Sequence, residues 1–105
     1  MLQFDESYHE RDIELPVGDA FAICLPENPT TGFRWSFVSN GEPACTLLGN
    51  SFDTAADAPG RGGSHSWRFQ IAQAGHGDIE LVYQRAWERE KEPARRFILH
   101  VYAYA

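Results

Sequence analysis

The stretch "SWRFQIA", residues 66–72, alternates apolar and polar side chains with a period of two. Trp67, Phe69 and Ile71 fall on one face of an extended chain, and the residues between them are polar. Because successive side chains of a β-strand point to opposite sides of the sheet, this pattern predicts a strand with one buried and one solvated face.

Similar segments recur along the chain, separated by turns rich in Gly, Pro and Asn. The other predicted strands are "DIEL" (12–15), "DAFAICL" (19–25), "FRWSFV" (33–38), "CTLLGNSF" (45–52), "DIELVYQR" (78–85) and "RFILHVYAY" (96–104). Seven short strands in about 100 residues are typical of an immunoglobulin-like sandwich. We therefore expect an all-β fold, an immunoglobulin-like β-sandwich of about seven to eight antiparallel strands, in a single domain that spans residues 1–105.

The cysteines do not fit the disulfide of an antibody domain. Such a domain joins its second strand to its sixth, and the sixth predicted strand, "DIELVYQR", contains no cysteine. We expect no inter-sheet disulfide. Cys24 lies in the apolar run "AFAICL", which favours a small buried thiol, and the oxidation state of Cys24 and Cys45 stays open.

The charge distribution excludes several classes of partner. The net charge is −6, which is the sum of −8 over residues 1–60 and +2 over residues 61–105. An acidic chain whose few bases alternate with Glu lacks the basic surface that binds nucleic acid or a membrane. No apolar run reaches the roughly 18–20 residues that cross a bilayer, and the start lacks the parts of a signal peptide. We expect a soluble protein, cytoplasmic or, if a leader has been removed, exported.

The residues with catalytic or ligating chemistry form no recognisable set. Ser, His and Asp occur without a nucleophile elbow or paired carboxylates, so the sequence indicates a binding module and not an enzyme. The histidines are scattered at positions 9, 65, 76 and 100, and neither cysteine has a close histidine partner. No metal site and no cofactor are expected.

Three connections with unusual composition are expected at the same end of the sandwich. If consecutive strands run up and down, the second, fourth and sixth connections share one end. These are "ENPTTG" (27–32), "ADAPGRGG" (56–63) and the loop that begins with "RAW" (85–87). Binding loops on a rigid scaffold tend to gather at one edge in this way.

The first of these loops has the composition of a rigid tip. Pro29 fixes its own φ and favours an extended Asn28, whose side chain can close an Asx-turn. Gly32 permits a left-handed end, so Thr30 and Thr31 are expected to face solvent. The residues alone leave open whether this is a working tip or only a well-capped hairpin loop.

The other two loops also allow more than one interpretation. "GRGG" (60–63) is a flexible linker, a backbone that approaches a partner closely or, less consistently with the strand that follows, a phosphate cradle. Trp87 either folds onto the core or stays exposed beside Arg85 with the composition of an interface hot spot. Trp35 and Trp67 lie within strands and are expected in the core.

Taken together, the three loops resemble the chagasin family, small immunoglobulin-like inhibitors of papain-like cysteine proteases. That family is marked by an NPTTG[YF] loop, a GxGG stretch that runs into a strand, and an RPW-type loop. This sequence has "NPTTGF" at 28–33, "GRGG" at 60–63 and "RAW" at 85–87, where Ala86 replaces the usual proline.

The resemblance implies a reversible, tight-binding competitive inhibitor. The loop 28–32 would enter the protease cleft with Thr30 over the catalytic Cys–His pair, and the glycine strand edge and the "RAW" loop would flank it. The implied protease-binding residues are Asn28, Pro29, Thr30, Thr31, Gly32, Phe33, Gly60, Arg61, Gly62, Gly63, Arg85, Ala86 and Trp87. The implied partners are papain-like or cathepsin L/B-like proteases, bound by a monomer. The alternative is an immunoglobulin-like adhesion or assembly module that inhibits no protease.

Overall fold

The computed structural model describes residues 1–54, 62–88 and 90–105, and within them the fold is all-β. The strands are β1 (Leu2–Phe4), β2 (Arg11–Pro16), β3 (Ala20–Glu27), β4 (Phe33–Asn40), β5 (Cys45–Thr54), β6 (Gly63–Ile71), β7 (Gly75–Arg85) and β8 (Arg95–Tyr104). Single turns of 3-10 helix occur at Glu6–Tyr8, Pro29–Thr31 and Ala86–Glu88. None of these helices is long and apolar enough to span a membrane. The seven predicted strands are present, and β1 is an eighth.

The strands form two four-stranded sheets, in the orders β1-β3-β6-β5 and β2-β8-β7-β4. Four of the described pairings are antiparallel, as expected, but β1 pairs with β3, and β2 with β8, in parallel. The difference arises because the chain changes sheets at each of its first two connections. A strand that returns to a sheet after such a crossover can run in the same direction as its neighbour, which a tight hairpin does not allow.

The core lies between the sheets and contains the apolar faces that the period-two pattern predicts. Residues exposed by 1% or less include Phe21, Ile23, Leu25, Phe69, Ile71, Ile79, Leu81, Phe97, Leu99 and Val101. Phe21 stacks on Phe69 with ring centroids 5.2 Å apart, and Phe37 meets the same Phe69 ring edge-on. The apolar face of β6, formed by Trp67, Phe69 and Ile71, therefore lies at the centre of the core.

Neither cysteine forms a disulfide. Cys24 is only partly buried, because it lies on the outer face of β3 between two inward-facing residues, and its Sγ is 3.2 Å from Oγ of Ser66. Cys45 is fully buried, and loss of hydration raises the pKa of its thiol to about 11. The expected absence of an inter-sheet disulfide is confirmed.

Strand register brings the ends of the three unusual connections to the same edge. In one sheet Gly63 pairs with both Glu27 and Thr54, and in the other Phe33 pairs with Arg85. The strands before and after each connection therefore end at this edge, as the count of connections predicts.

Candidate functional site

The β3–β4 loop is closed by its own hydrogen bonds around Asn28. The backbone N–H and the hydroxyl of Thr30 donate to Asn28 Oδ1 at 3.2 and 2.5 Å, and the hydroxyl of Thr31 donates to the Asn28 carbonyl at 2.7 Å. Gly32 has φ +83°, which ends the turn in the left-handed region. The predicted Asx-turn and glycine close are confirmed, and Thr30 and Thr31 are both exposed at the tip.

Glu27, a buried carboxylate, supports the start of this loop. Only 4% of Glu27 is exposed, and its Oε2 accepts a hydrogen bond of 2.8 Å from the backbone N–H of Trp35. Its Oε1 lies 3.0 Å from Nδ1 of His65, whose ring stacks on Trp67 with centroids 4.0 Å apart. An unpaired carboxylate at this depth would be costly, and these contacts compensate for its lost hydration.

Sequence reasoning missed Glu27, although a signal for it was present. The residues that precede it on the same face of β3 are Phe21, Ile23 and Leu25, all buried. An acidic residue at the next position of a period-two apolar face is expected to be buried and paired. The same strand end also anchors Asn28, whose N–H donates to the hydroxyl of Tyr83 at 2.9 Å.

The described part of the glycine stretch lies close to the base of the loop. Gly62 has φ +82°, and a Cβ at this position would lie 2.6 Å from the Glu27 carbonyl oxygen and 2.8 Å from Asn28 Cα. Of the interpretations of "GRGG", Gly62 fits the close backbone approach, and the neighbour that it approaches is the protein's own β3. Gly60 and Arg61 lie outside the described residues.

Arg85 connects the β3–β4 loop to the β7–β8 connection. Its Nε donates to the Thr31 carbonyl at 3.0 Å, and its Nη1 donates to Glu88 Oε1 at the same distance. The guanidinium carbon also lies 4.4 Å from the centroid of the Phe33 ring. The resemblance assigns Arg85 to the partner interface, and the structure adds a role inside the chain.

Trp87 is exposed beside the tip. The residue is 72% exposed, and its indole lies so near Gly32 that a Cβ on residue 32 would collide with the ring. The alternative in which Trp87 folds into the core is therefore wrong, whereas Trp35 and Trp67 are buried as predicted. Ala86 lies in a 3-10 turn, Ala86–Glu88, and is itself exposed.

Two ion pairs of the partly buried Glu88 carboxylate join residues at the β7–β8 connection. Glu88 contacts Lys91 Nζ at 2.9 Å and Arg85 Nη1 at 3.0 Å. Hydrogen bonds from Lys91 first, and then from Arg85, lower the pKa of the Glu88 carboxyl. The negative charge beside Trp87 is therefore compensated locally.

One polar cluster lies away from this edge, and the sequence analysis did not anticipate it. The histidines treated as scattered include His76 and His100, which the β7–β8 register brings together on Asp78. Residues 22 and 24 positions apart in sequence became neighbours through strand pairing, which spacing alone does not reveal.

Comparison with known proteins agrees with the resemblance. Residues 14–101 match the model of the Chagasin family peptidase inhibitor I42. Chagasin of Trypanosoma cruzi is 28% identical over 103 residues, covering 93% of this chain and 94% of chagasin.

Solved structures show the same fold. The cysteine protease inhibitor EhICP2 from Entamoeba histolytica superposes with a TM-score of 0.83 at 22% identity, over 98% of this chain and 94% of that one. PbICP-C, solved in complex with falcipain-2, gives a TM-score of 0.66 at 16% identity, over 97% and 89% of the two chains. Because the family model matches most of the chain, over residues 14–101, the protein belongs to the chagasin family of peptidase inhibitors.

Proposed function

We propose that this protein inhibits papain-like cysteine proteases reversibly and competitively, by placing Thr30 and Thr31 in the active-site cleft. Trp87 would contact one wall of the cleft, and the strand edge at Gly62 and Gly63 the other. The observation that carries the proposal is the exposed threonine tip, closed by Asn28, with an exposed indole beside it. The complex of PbICP-C with falcipain-2 supports a protease of this class as the partner.

The tip is poorly suited to be cleaved. Its backbone forms a 3-10 turn at Pro29–Thr31, and the Thr31 N–H and carbonyl are engaged by Asn28 and Arg85 respectively. To present an extended peptide bond to a catalytic cysteine, the chain would have to break these hydrogen bonds together. The loop can therefore occupy the cleft without offering a scissile bond in reactive geometry.

The same hydrogen bonds favour tight binding. A loop that is already ordered loses little conformational entropy on association, so more of the contact energy appears as affinity. The β3–β4 loop, residues 28–32, acts as a wedge, and together with its two flanking contacts it can bury a standard interface of roughly 1,600 Å². We expect nanomolar affinity, about −12 kcal/mol, from a monomer, because a dimer that covered this edge would block the wedge.

The test is a titration of the full chain against papain and a cathepsin L-type protease with a fluorogenic peptide substrate. We expect the apparent KM to rise with kcat unchanged, activity to return on dilution, and the inhibitor to stay intact by mass spectrometry. No inhibition at micromolar excess of inhibitor would overturn the proposal for these proteases.

Three variants locate the contact surface. Trp87→Ala removes an exposed side chain, so folding stability should change by less than about 0.5 kcal/mol, whereas inhibition should weaken about thirtyfold or more if Trp87 is a hot spot. Thr30→Arg should also weaken inhibition, because the tip becomes too large for the cleft. Tyr104→Ala removes an exposed aromatic from the opposite end of β8 and should leave inhibition unchanged. Unchanged inhibition by both Trp87→Ala and Thr30→Arg would exclude this surface.

A further inference from the structure

A cluster of ligating side chains lies on the outer face of the second sheet. In the antiparallel register of β7 and β8, Asp78 pairs with His100 and His76 pairs with Tyr102. These residues alternate with core residues along both strands, so their side chains share the solvent-facing side. Strand pairing therefore places two histidines and one carboxylate next to one another on a rigid element.

The potential ligand atoms converge at short distances. Asp78 Oδ1 lies 2.8 Å from His76 Nε2 and 2.7 Å from His100 Nδ1, and the ligand atoms of the three residues lie within 4.8 Å of one another. The side chains of His76 and Asp78 are each 47% exposed and that of His100 is 33% exposed. An ion from solvent can reach the cluster and keep water in its remaining coordination positions.

The surroundings of the cluster favour a cation. On the other side of β8, the parallel register of β2 places exposed Asp12 opposite His100 and exposed Glu14 opposite Tyr102. Arg96, on the same face of β8, is paired with Glu80 at 2.9 Å. Negative charge therefore exceeds positive charge around the two imidazoles, which lowers the energy of a bound cation.

Two contacts orient the ligands. The ring of Tyr102 stacks on His76 with centroids 4.7 Å apart. The second contact joins His100 Nδ1 and Asp78 Oδ1, which lie 2.7 Å apart.

We propose that His76, Asp78 and His100 form a binding site for a divalent transition-metal ion of the Zn²⁺ class. Imidazole nitrogen with carboxylate oxygen is a ligand set that suits Zn²⁺ and its neighbours, whereas Ca²⁺ and Mg²⁺ prefer a site made of oxygen alone. Tetrahedral bonds of about 2.0–2.1 Å put ligand atoms about 3.3 Å apart. The two distances to Asp78 Oδ1 must therefore open by about 0.5 Å, and any pair of ligand atoms now as far apart as 4.8 Å must close by about 1.5 Å, which half-exposed side chains can accommodate.

The metal site is separate from the proposed inhibitory edge. Asp78 and Arg85 lie on the same strand, and seven residues of extended chain span about 24 Å. A bound ion would not touch the threonine tip, so the proposal holds whether or not the protein inhibits the proteases tested above.

The test is a titration of the chelator-treated, untagged full chain with zinc chloride at pH 7.5, by calorimetry and by NMR. We expect one saturable site, selective shifts of the His76 and His100 ring resonances, and a melting temperature that rises with zinc concentration. Because imidazole must be deprotonated to bind, affinity should fall strongly at pH 5. Absence of saturable binding at millimolar zinc would overturn the proposal.

Variants distinguish this site from adventitious binding elsewhere. His100→Ala and Asp78→Asn should each weaken zinc binding by more than about tenfold, and circular dichroism should confirm that these surface changes leave the fold intact. His9→Gln removes a histidine from another part of the chain and should retain binding. Equal zinc affinity of the wild type, His100→Ala and Asp78→Asn would overturn the site, and displacement of zinc by equimolar Ca²⁺ would overturn the assigned ion class.

Discussion

Two connections meet at the candidate protease-binding edge, and they are held in place by different interactions. The β3–β4 loop is closed by uncharged hydrogen bonds around Asn28 and begins at buried Glu27. The β7–β8 connection has ion pairs of Glu88 with Arg85 and Lys91, together with backbone hydrogen bonds from the Lys91 N–H to the Glu88 carbonyl and from the Ala94 N–H to the Tyr83 carbonyl. Salt screens ion pairs more than uncharged hydrogen bonds, so we expect the order of the first connection to depend less on salt and on pH.

The comparison suggests a division of roles. In the proposed mechanism the β3–β4 loop has to keep its shape against a protease, and the hydrogen bonds around Asn28 favour that shape. Arg85 bonds to both connections through its guanidinium, as Tyr83 does through its hydroxyl and its carbonyl. Substitutions at the base of the wedge should therefore affect stability and inhibition most, and substitutions in the surface ion pairs least.

The largest effect is expected at the base of the wedge, for Gly62→Ala. An alanine would place its Cβ 2.6 Å from the Glu27 carbonyl and would adopt φ +82°, which is strained for any side chain. We expect a loss of roughly 2–5 kcal/mol in the free energy of unfolding, from the strain and the steric clash together. Urea denaturation measures this loss, and inhibition should fall in parallel because the clash moves the loop.

Gly18→Ala is the matched control. Gly18 also has a positive φ, +99°, but a Cβ there meets nothing within 4 Å. It should therefore cost only the backbone strain, roughly 1–2 kcal/mol, and leave inhibition unchanged. Equal losses for the two variants would mean that the close approach of Gly62 to β3 contributes nothing.

The next effect concerns the buried carboxylate. Glu27→Leu keeps roughly the size of the side chain but removes both oxygens that the Trp35 N–H and the His65 ring contact. Buried polar groups lose their partner, which should cost about 1–3 kcal/mol in the free energy of unfolding. Glu14→Leu, on the exposed face of β2, should change it by less than about 0.5 kcal/mol. A Glu27→Leu protein as stable as the wild type would contradict the proposed support.

The sequence predicts those parts of this fold that depend on local alternation. The buried faces of β3, β6, β7 and β8 follow from period-two patterns, and the Asx-turn at Asn28 follows from the chemistry of one side chain. The parallel pairing of β1 with β3 and of β2 with β8 did not follow from the sequence, because it depends on which sheet the chain enters after a crossover. Local patterns carry no information about that choice.

Contacts between side chains on different strands were also not predicted, because local patterns do not determine which strands become neighbours. The convergence of the three connections follows from the number of strands between them, and their residues stood out by composition. The bridge from Arg85 to Thr31 and the meeting of His76 with His100 depend on cross-strand register. Register is set by the packing of the whole sandwich. Glu27 is intermediate, because the alternation along β3 places it on the buried face.

A smaller effect is expected for the bridge between the connections. In Arg85→Lys the ammonium keeps the charge but cannot bond to the Thr31 carbonyl and to Glu88 with the fixed geometry of a guanidinium. We expect inhibition to weaken about fivefold, corresponding to one hydrogen bond of about 1 kcal/mol, when inhibition constants are compared. Arg96→Lys, in an ion pair with Glu80 that touches neither connection, is the control and should inhibit normally. A normal inhibition constant for Arg85→Lys would show that the hydrogen bonds from Arg85 to the two connections contribute nothing to inhibition.

The smallest effect is expected for the surface ion pairs themselves, in Glu88→Gln. Inhibition at neutral pH should change by less than about twofold, because ion pairs at the surface contribute little.

The wild type should nevertheless show a specific pH dependence. The pKa of Glu88 in the folded protein lies below its ordinary value of 4.5, so the ion pairs are complete above that pH and are lost as the pH falls through the lowered pKa. The indole N–H resonance of neighbouring Trp87 should therefore shift only below pH 4.5 in the wild type and should lose this step in Glu88→Gln. A wild-type midpoint at or above 4.5 would show that Arg85 and Lys91 do not hold this carboxylate, and would leave the order of the β7–β8 connection to its backbone.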